Sequence, residues 1–282
     1  MVYKIKVMEK IFCPNNIYGV LGHPLNQSLS PLIHNTAFRY YEMDSVYLSF
    51  DIESSNLKDF AKIVRILPVY GLSITIPHKI AIMDHLDVIS DNALQVGAVN
   101  TLYWNNSKLC GENTDITGFL SALENEDLSS HTALILGSGG AAHAICAALS
   151  RCKEVFIATI SNKNHKILAK KFGLTAISWE QRQDIDPTLI VNTTPLGMHG
   201  KFECQSPYDF KCLSKKQDMR RIAYDIVYNP LKTLFIEQAE NNGLETITGL
   251  PMFYGQADRQ FELWTNKHLP ENSYKQLFSA LA

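Results

Sequence analysis

The chain has 282 residues, of which 46% are hydrophobic and 19% are charged, and its formal net charge at pH 7 is -2. This composition excludes an intrinsically disordered chain and predicts a sizeable core. At roughly 150 residues per domain the length suggests two domains, with one large α/β domain as the alternative. The 26 basic and 28 acidic residues form no basic stripe along the sequence, so we expect no nucleic-acid partner.

Short β-like runs alternate with amphipathic helical runs from the start of the chain, a rhythm typical of α/β proteins with mainly parallel sheets. The pattern predicts strands at 17–21, 46–52, 71–77 and 98–104 and helices at 30–40 and 57–67. Ser30 and Pro31 have the residue types of an N-cap and of a first helical position, so we expect the first helix to begin there.

The same alternation starts again after Asp115. The pattern predicts a helix at 116–126, strands at 132–136, 154–158, 188–192 and 222–226, and helices from Gly249 onward. The predicted fold class is therefore α/β throughout, with two groups of strands for two domains.

The strand at 132–136 runs directly into GSGGAA, which places Gly137, Gly139 and Ala142 at the spacing of a dinucleotide-binding turn. In that motif the first glycine makes the tight turn, the second lets the backbone approach a pyrophosphate, and the small third residue lets the helix pack on the strand. The following strand ends in FIATIS, without the acidic residue that holds a ribose in NAD and methyltransferase sites. The motif predicts a nucleotide site without naming its ligand, and a glycine turn used only for packing is the alternative.

Polar side chains follow the predicted strands of the first domain where each strand ends. They are Ser28, Ser30, Thr75, Lys79, Asn100, Asn113, Thr114 and Asp115. Open α/β sheets bind ligands at this edge, and these hydroxyls, amides, one lysine and one carboxylate suit a small polyhydroxylated acid. Structural alternatives remain: Ser30 as a helix cap, Asn100 and Asp115 in turns, and Lys79 as a solvated lysine.

Neither a membrane segment nor a metal site is predicted. No apolar run approaches the roughly 18 residues of a membrane span, and the starting stretch MVYKIKVMEKIF interleaves lysines with apolar residues, unlike a signal peptide. The 6 cysteines include no C-x-x-C pair and the 9 histidines no H-E-x-x-H motif. We therefore expect no metal, reduced thiols and a cytoplasmic location.

Several short motifs, taken in order, make the sequence resemble the shikimate dehydrogenase family nearly from end to end. They are S-x-S-P at 28–31, T-x-P-x-K at 75–79, A-V-N-T at 98–101, G-x-N-T-D at 111–115, G-x-G-G-A at 137–141, N-T-T-P-L-G-M at 192–198, D-x-V-Y-N-P at 225–230 and G-L-x-M-x-x-x-Q-A at 249–257. Each motif by itself is modest evidence for the resemblance. All of them in this order make a chance similarity very improbable.

The resemblance implies an N-terminal substrate domain, a Rossmann-like cofactor domain and a cleft between them. By this comparison the substrate domain spans 1–115 and is completed by 249–282, and the cofactor domain spans 116–248. The implied reaction is the reversible NADPH-dependent reduction of 3-dehydroshikimate to shikimate, a step of aromatic amino-acid biosynthesis. The implied partners are this small-molecule substrate and NADP, bound by a monomer or homodimer.

The resemblance also assigns roles position by position. Lys79 and Asp115 correspond to the catalytic pair, and which of the two carries the proton stays open. The substrate-binding positions are Ser28, Ser30, Thr75, Asn100, Tyr228 and Gln256. The cofactor-binding positions are Gly137, Ser138, Gly139, Gly140, Ala141, Thr159, Ser161, Thr193, Ile226, Gly249 and Met252.

Three positions depart from the family pattern. Gln27 and Ser73 stand where the family often has His and usually Asn, which keeps a polar group at both places. Ile160 stands where the family commonly has the arginine that clamps the 2′-phosphate of NADP, and no nearby Asp or Glu favours NAD instead. We therefore expect NADP as the cofactor, with NAD as an alternative. A paralogue acting on quinate or an aminated shikimate, and a non-catalytic nucleotide or metabolite sensor, are the other interpretations.

Overall fold

The structure is a computed structural model, and it describes residues 14–25, 28–160, 164–214 and 219–281. The strands are β1 (Asn16–Gly22), β2 (Ser45–Asp51), β3 (Val69–Ile74), β4 (Val88–Ile89), β5 (Thr101–Asn105), β6 (Lys108–Glu112), β7 (Thr132–Leu136), β8 (Glu154–Ala158), β9 (Thr175–Ile177), β10 (Leu189–Asn192), β11 (Ile222–Asp225) and β12 (Glu245–Ile247). The helices are α1 (Ser30–Tyr40), α2 (Leu57–Val64), α3 (Asp91–Val96), α4 (Asp115–Ser121), α5 (Gly140–Leu149), α6 (His165–Phe172), α7 (Leu234–Asn241), α8 (Gly249–Thr265) and α9 (Glu271–Leu281). The strands form two six-stranded sheets, which confirms the predicted α/β class.

The first sheet has the order β2-β1-β3-β5-β6-β4 and mixes parallel and antiparallel pairs. β1 pairs parallel with β2 and β3, whereas β5 pairs antiparallel with β3 and β6. In this register Ser73 lies beside Thr101, and Thr101 beside Glu112. The end of β3, the start of β5 and the end of β6 therefore meet at one edge of the sheet.

The second sheet has the order β12-β11-β10-β7-β8-β9, and all of its strand pairs are parallel. Leu136 at the end of β7 lies beside Asn192 at the end of β10, and Asn192 lies beside Asp225 at the end of β11. The chain runs outward from β7 through β8 and β9 in one direction, and from β10 through β11 and β12 in the other. Ligands of such sheets bind where the strand order reverses, here beyond the ends of β7 and β10.

Helices α8 and α9 bring the chain back to the first sheet. Leu250 and Phe261 of α8 and Leu277 of α9 are buried with Tyr18 of β1 in one apolar cluster. The second sheet has separate buried clusters on its two faces, and Met252 of α8 joins one of them. On this basis we propose the domain division expected from the sequence, with α8 in contact with both domains.

Several sequence predictions differ from the structure at element ends. The helix predicted at 116–126 ends at Ser121, and the strand predicted at 98–104 begins only at Thr101. The expectation that Ser30 caps α1 is wrong: Leu29 occupies the N-cap, no side chain caps the helix, and Ser30 is its first residue. The sequence pattern also does not predict β4, β6, β9, β12 or α3.

Within the described ranges, no helix combines the length and apolar character needed to cross a bilayer. The same ranges contain no group of three or more His, Cys, Asp or Glu side chains arranged to hold a metal ion. The described cysteines, Cys110, Cys146, Cys152, Cys204 and Cys212, are free thiols.

Candidate active site

Lys79 and Asp115 form an ion pair at the edge of the first sheet. Lys79 Nζ lies 2.5 Å from Asp115 Oδ2, and the two side chains are only 13% and 7% exposed. Lys79 follows the cis Ile76–Pro77 peptide after β3, and Asp115 is the first residue of α4. Lys79 is therefore no solvated surface lysine. Since water screens a pair this buried only weakly, the contact is stronger than a surface ion pair.

The other carboxylate oxygen of Asp115 is held by Asn100. Asn100 Nδ2 donates to Asp115 Oδ1 at 2.7 Å and to Thr114 Oγ1 at 3.0 Å, while its Oδ1 accepts from the Thr114 N–H at 2.8 Å. Asn100 thus connects the start of β5 to the start of α4. Its side chain therefore does more than stabilise a local turn. The local turn bond belongs to Asn113, whose Oδ1 accepts from the Asp115 N–H at 3.1 Å. This arrangement fixes the orientation of the Asp115 carboxylate.

The predicted hydroxyl residues lie at the same end of the first sheet. Ser30 is buried, and Ser28 and Thr75 are half-buried. The Ser30 N–H donates to Ser28 Oγ at 3.4 Å, and the Thr75 N–H donates to Leu21 O at 2.9 Å. Ser30 does not cap α1, and its side chain is hydrogen-bonded to the phenol of Tyr47.

Tyr228 and Gln256 approach the same end of the first sheet from later segments of the chain. The Tyr228 ring stacks on Phe253 of α8 with 4.4 Å between ring centres. Burial raises the pKa of Tyr228, and a hydrogen bond from the Leu29 backbone, between the two serines, opposes the rise. Gln256 Nε2 donates to Phe253 O at 2.9 Å, and Gln256 O accepts from Thr114 Oγ1 at 3.1 Å. Both predicted residues therefore lie beside the loops that carry Ser28 and Asp115.

Two glycines let α8 approach the start of α4. A Cβ on Gly118 would lie 2.6 Å from Met252 O and 2.7 Å from Gln256 N, and a Cβ on Gly255 would lie 3.1 Å from Gly118 Cα. Real Cβ atoms do not approach a backbone that closely. The contact between α4 and α8 therefore depends on the missing side chain at Gly118, and it places Met252 and Gln256 next to the Asp115 turn.

The glycine-rich turn after β7 has the backbone that a pyrophosphate site needs. Gly137 has a φ of 114°, and a Cβ there would lie 2.5 Å from Thr193 Oγ1. Gly139 is the N-cap of α5, no side chain caps that helix, and the space above Gly139 is open for 4 Å. A helix N-terminus with an open glycine in front of it suits a phosphate group, so these residues fit a dinucleotide.

Some of the other predicted cofactor residues contact this turn, and others lie at the end of β11 and the start of α8. Ser138, Thr159 and Thr193 are buried, and Ser138 Oγ donates to Thr159 Oγ1 at 3.2 Å. Ile226 O would lie only 2.5 Å from a Cβ on Gly249, so the start of α8 is in backbone contact with the end of β11. Gly140 and Ala141 form the first turn of α5. Ser161 lies outside the described residues.

The nucleotide turn and the ion pair are neighbours. An ideal Cβ on Gly140, the first residue of α5, would lie 3.6 Å from Lys79 Cδ. One turn further along α5, a His143 ring nitrogen lies 3.2 Å from the carbonyl oxygen of Val96 at the end of α3. The first turn of α5 therefore lies in van der Waals reach of the Lys79 side chain.

Sequence reasoning missed three polar residues at this site. Gln260 and Asp225 are fully buried and hydrogen-bonded to neighbouring strands or loops, and His143 bridges α5 and α3. Gln260 stands four positions after Gln256 on α8, which places both on one helical face, and Asp225 belongs to the D-x-V-Y-N-P motif. No sequence signal points to His143.

Asp225 is a buried carboxyl group with three hydrogen bonds. It accepts from Thr233 Oγ1 at 2.6 Å, from the Val227 N–H at 2.9 Å and from Asn192 Nδ2 at 2.9 Å. Burial raises the pKa of Asp225 from 3.8 to about 7, and the three hydrogen bonds oppose the rise. Its bond to Val227 fixes the backbone between the predicted site residues Ile226 and Tyr228.

The raised pKa predicts a pH dependence of stability. Between about pH 4 and pH 7 the folded state keeps Asp225 protonated while the unfolded state ionises it, so this group's contribution should fall as pH rises through that window. We expect wild type to lose about 2–4 kcal/mol relative to Asp225→Asn between about pH 4.5 and 7.5. Urea unfolding of both proteins across this range measures the difference. Parallel stability curves would contradict the assignment.

The sequence profile of the shikimate dehydrogenase substrate binding domain matches residues 20–102. A relative from Pelobacter propionicus, shikimate dehydrogenase (NADP(+)), is 44% identical over 270 residues, which cover 94% of this chain and 96% of the relative.

Solved structures of similar proteins cover nearly the whole fold. Shikimate 5-dehydrogenase from Thermus thermophilus, in complex with NADP(H) and shikimate, has a TM-score of 0.83 and 33% identity, and covers 95% of this chain and 100% of that one. Shikimate 5-dehydrogenase from Listeria monocytogenes, in complex with shikimate and NAD, has a TM-score of 0.84 and 30% identity over 97% and 99% of the two chains.

Proposed function

Since the chain belongs to the shikimate dehydrogenase family, we propose that it carries out the family's reaction in the cleft between its two sheets, with Lys79 and Asp115 as the catalytic pair. The protein is then an NADP-dependent oxidoreductase that interconverts 3-dehydroshikimate and shikimate. The observation that carries this proposal is the buried contact of Lys79 Nζ with Asp115 Oδ2 directly opposite the first turn of α5.

The pair performs the proton transfer. NADPH, when bound, supplies the hydride that reduces the ketone carbon. In this direction the Lys79 ammonium donates a proton to the ketone oxygen as negative charge develops there. Asp115 holds the Lys79 side chain in position through their hydrogen-bonded contact, and Asn100 holds Asp115. In shikimate oxidation the same pair accepts the proton of the alcohol.

The remaining polar residues recognise a polyhydroxylated acid. Ser28, Ser30 and Thr75 present hydroxyls at one end of the first sheet, with Tyr228 beside them. Gln256 lies at the other side, next to the Asp115 turn. The turn at 137–141, together with Thr159 and Thr193, binds the cofactor. Ile226, Gly249 and Met252 line the cleft on the nicotinamide side.

Initial rates followed by NADPH absorbance in the near ultraviolet test this function. We expect shikimate with NADP to be the preferred pair among shikimate, quinate and aminoshikimate, each tested with NADP and NAD. Faster turnover of quinate would assign the chain to a quinate-oxidising paralogue. Dinucleotide binding without turnover of any of the three compounds would indicate that the protein is a non-catalytic nucleotide or metabolite sensor.

Variants of the two proposed substrate contacts should separate substrate binding from cofactor binding. Ser28→Ala or Gln256→Ala should raise KM for shikimate about three- to tenfold, the loss of one hydrogen bond, and leave KM for NADP nearly unchanged. Ser129→Ala, an exposed serine in the loop before β7, is the matched control for Ser28→Ala. Equal increases in both KM values would contradict the assignment of these residues to the substrate.

Cofactor preference should be modest, because Ile160 is exposed and cannot hydrogen-bond a 2′-phosphate. Exposed Lys166 on α6 can attract that phosphate as a point charge, which predicts a preference for NADP over NAD of about tenfold, reduced by salt. Ile160→Arg should raise the preference to about a thousandfold through a bidentate contact. The ratio of kcat/KM for the two cofactors at low and high salt measures both effects. A salt-insensitive thousandfold preference in wild type would mean that another residue clamps the phosphate.

A further inference from the structure

A buried row of polar side chains runs from β2 through β3 to α8. Tyr47, Ser73 and Gln260 are 2%, 7% and 1% exposed. Tyr47 Oη donates to Ser73 Oγ at 2.6 Å, and Ser73 Oγ donates to Gln260 Oε1 at 2.6 Å. Gln260 Nε2 then donates to the carbonyl oxygen of Asn100 at 3.2 Å. The proposed proton transfer uses none of these three side chains directly.

The hydrogen bonds of the row have one direction. Gln260 Nε2 faces a carbonyl oxygen, which only accepts, so Gln260 Oε1 must accept from Ser73. Ser73 has a single hydroxyl proton, and therefore its oxygen must accept from Tyr47. Replacing any member leaves a buried neighbour without its partner, so the three residues act as a unit.

Tyr47 anchors the far end of the row to α1. Its backbone N–H donates to Asn35 Oδ1 at 2.9 Å, and its carbonyl oxygen accepts from Asn35 Nδ2 at 2.9 Å. Its ring stacks on His34 with 4.5 Å between ring centres and 16° between planes. The tyrosine hydroxyl is therefore held in place before any ligand binds.

The near end of the row reaches the ion pair. The Asn100 carbonyl oxygen accepts from the Ile74 N–H at 2.7 Å and from Gln260 Nε2 at 3.2 Å, so Gln260 adds a side-chain contact to a strand hydrogen bond. The Asn100 side chain donates to Asp115 Oδ1 at 2.7 Å, and Asp115 Oδ2 contacts Lys79 Nζ. A shift of the Asn100 peptide would rotate the Asp115 carboxylate and move the ammonium of Lys79 with it. Misplacement of a reacting group by about 1 Å can cost a hundredfold in rate.

We propose that Gln260, supported by Ser73 and Tyr47, is a positioning residue for the Lys79–Asp115 pair, acting through the Asn100 peptide. This inference rests on the proposed function, since it assigns the row to the same proton transfer. It predicts that changes in the row lower kcat without changing cofactor binding.

The test compares Ser73→Ala with Ser273→Ala. Both serines are buried and donate one hydrogen bond, but Ser273 Oγ bonds Ile33 O between α9 and α1, away from the row. We expect Ser73→Ala to lower kcat for shikimate oxidation about ten- to a hundredfold with KM for NADP unchanged, and Ser273→Ala to keep the wild-type kcat. Ser73→Thr retains the hydroxyl on a β-strand and should restore kcat to within about threefold of wild type.

A double variant tests whether the row acts through the pair. If it does, adding Ser73→Ala to Lys79→Met should lower kcat no further, because the group being positioned is already gone. Multiplicative losses in the double variant, or equal kcat for Ser73→Ala and Ser273→Ala, would overturn the inference. Should Ser73→Ala fail to fold, Gln260→Met makes the same comparison at the end of the row that contacts Asn100. If the wild-type protein did not turn over shikimate, the proposed function itself would be refuted. That result is distinguishable from a failure of the inference about the row.

Discussion

Replacing Lys79 with methionine should lower kcat for shikimate oxidation by roughly 10²–10⁴-fold, the usual range for a positioned acid–base group. Methionine keeps most of the apolar stem but carries no proton and no charge. Because the proposed substrate contacts are made by other residues, KM for shikimate should change far less than kcat. Steady-state kinetics with saturating NADP separate the two parameters.

Two controls make this result specific. Lys171→Met removes an exposed lysine whose Nζ lies near Gly97, and it should leave kcat near the wild-type value. Lys79→Met also leaves the buried Asp115 carboxylate without its cation, which lowers stability. Adding Asp115→Asn should recover that stability and not the rate. A Lys79 variant with a raised KM and an intact kcat would show that Lys79 only binds substrate.

Adding a single methyl group at Gly118 should damage both stability and activity. The new Cβ of Gly118→Ala would lie 2.6 Å from Met252 O and 2.7 Å from Gln256 N, so the backbone of α8 has to move. Alanine favours a helix by up to about 1 kcal/mol over glycine, but overpacking against a backbone costs about 1–3 kcal/mol or more. We expect a net loss of stability of about 1–2 kcal/mol and a fall in kcat/KM of about a hundredfold, because Gln256 and Asp115 lie on either side of this contact.

Gly255→Ala adds a methyl group to the same contact between α4 and α8 and serves as a milder comparison for Gly118→Ala. Its Cβ would meet the hydroxyl of Ser121 at 2.8 Å, which can rotate away, and Gly118 Cα at 3.1 Å. Its effect should be smaller, and smaller still in a Ser121→Ala background. Thermal unfolding and kcat/KM of the variants measure the series. If Gly118→Ala were as active as wild type, the close approach of α4 and α8 would have no role in the site.

The second sheet was the easier part to predict. Strands β7 and β8 have the predicted bounds, Thr132–Leu136 and Glu154–Ala158, since continuous buried runs and a glycine turn mark a parallel sheet clearly. The missed β9 and β12 are three-residue edge strands that carry too few residues for a periodic pattern.

The β5–β6 hairpin was missed because its turn contains no glycine. Asn106 and Ser107 both have positive φ, 48° and 62°, where a hairpin turn usually carries glycine. Without that signal, Lys108–Glu112 resembles a loop, although its end brings the Asp115 turn beside the end of β3.

Candidate site residues were found where polar groups interrupt apolar strand ends, as at Thr75, Asn100 and Asp115. Gln260 was missed because its partners are remote in sequence: Ser73 is 187 positions away and Asn100 is 160. A glutamine on a helix has the same sequence signal whether it faces water or a buried serine. Only the packing of α8 on the first sheet decides between these environments.

A crystal structure with bound shikimate tests the central claim most directly. The hydroxyl that becomes the ketone of 3-dehydroshikimate should lie within about 3.2 Å of Lys79 Nζ or an Asp115 carboxylate oxygen, facing the first turn of α5. The shikimate carboxylate should lie at the Ser28 and Ser30 hydroxyls. Shikimate bound with its carboxylate on Lys79, or bound away from the Lys79–Asp115 pair, would contradict the account.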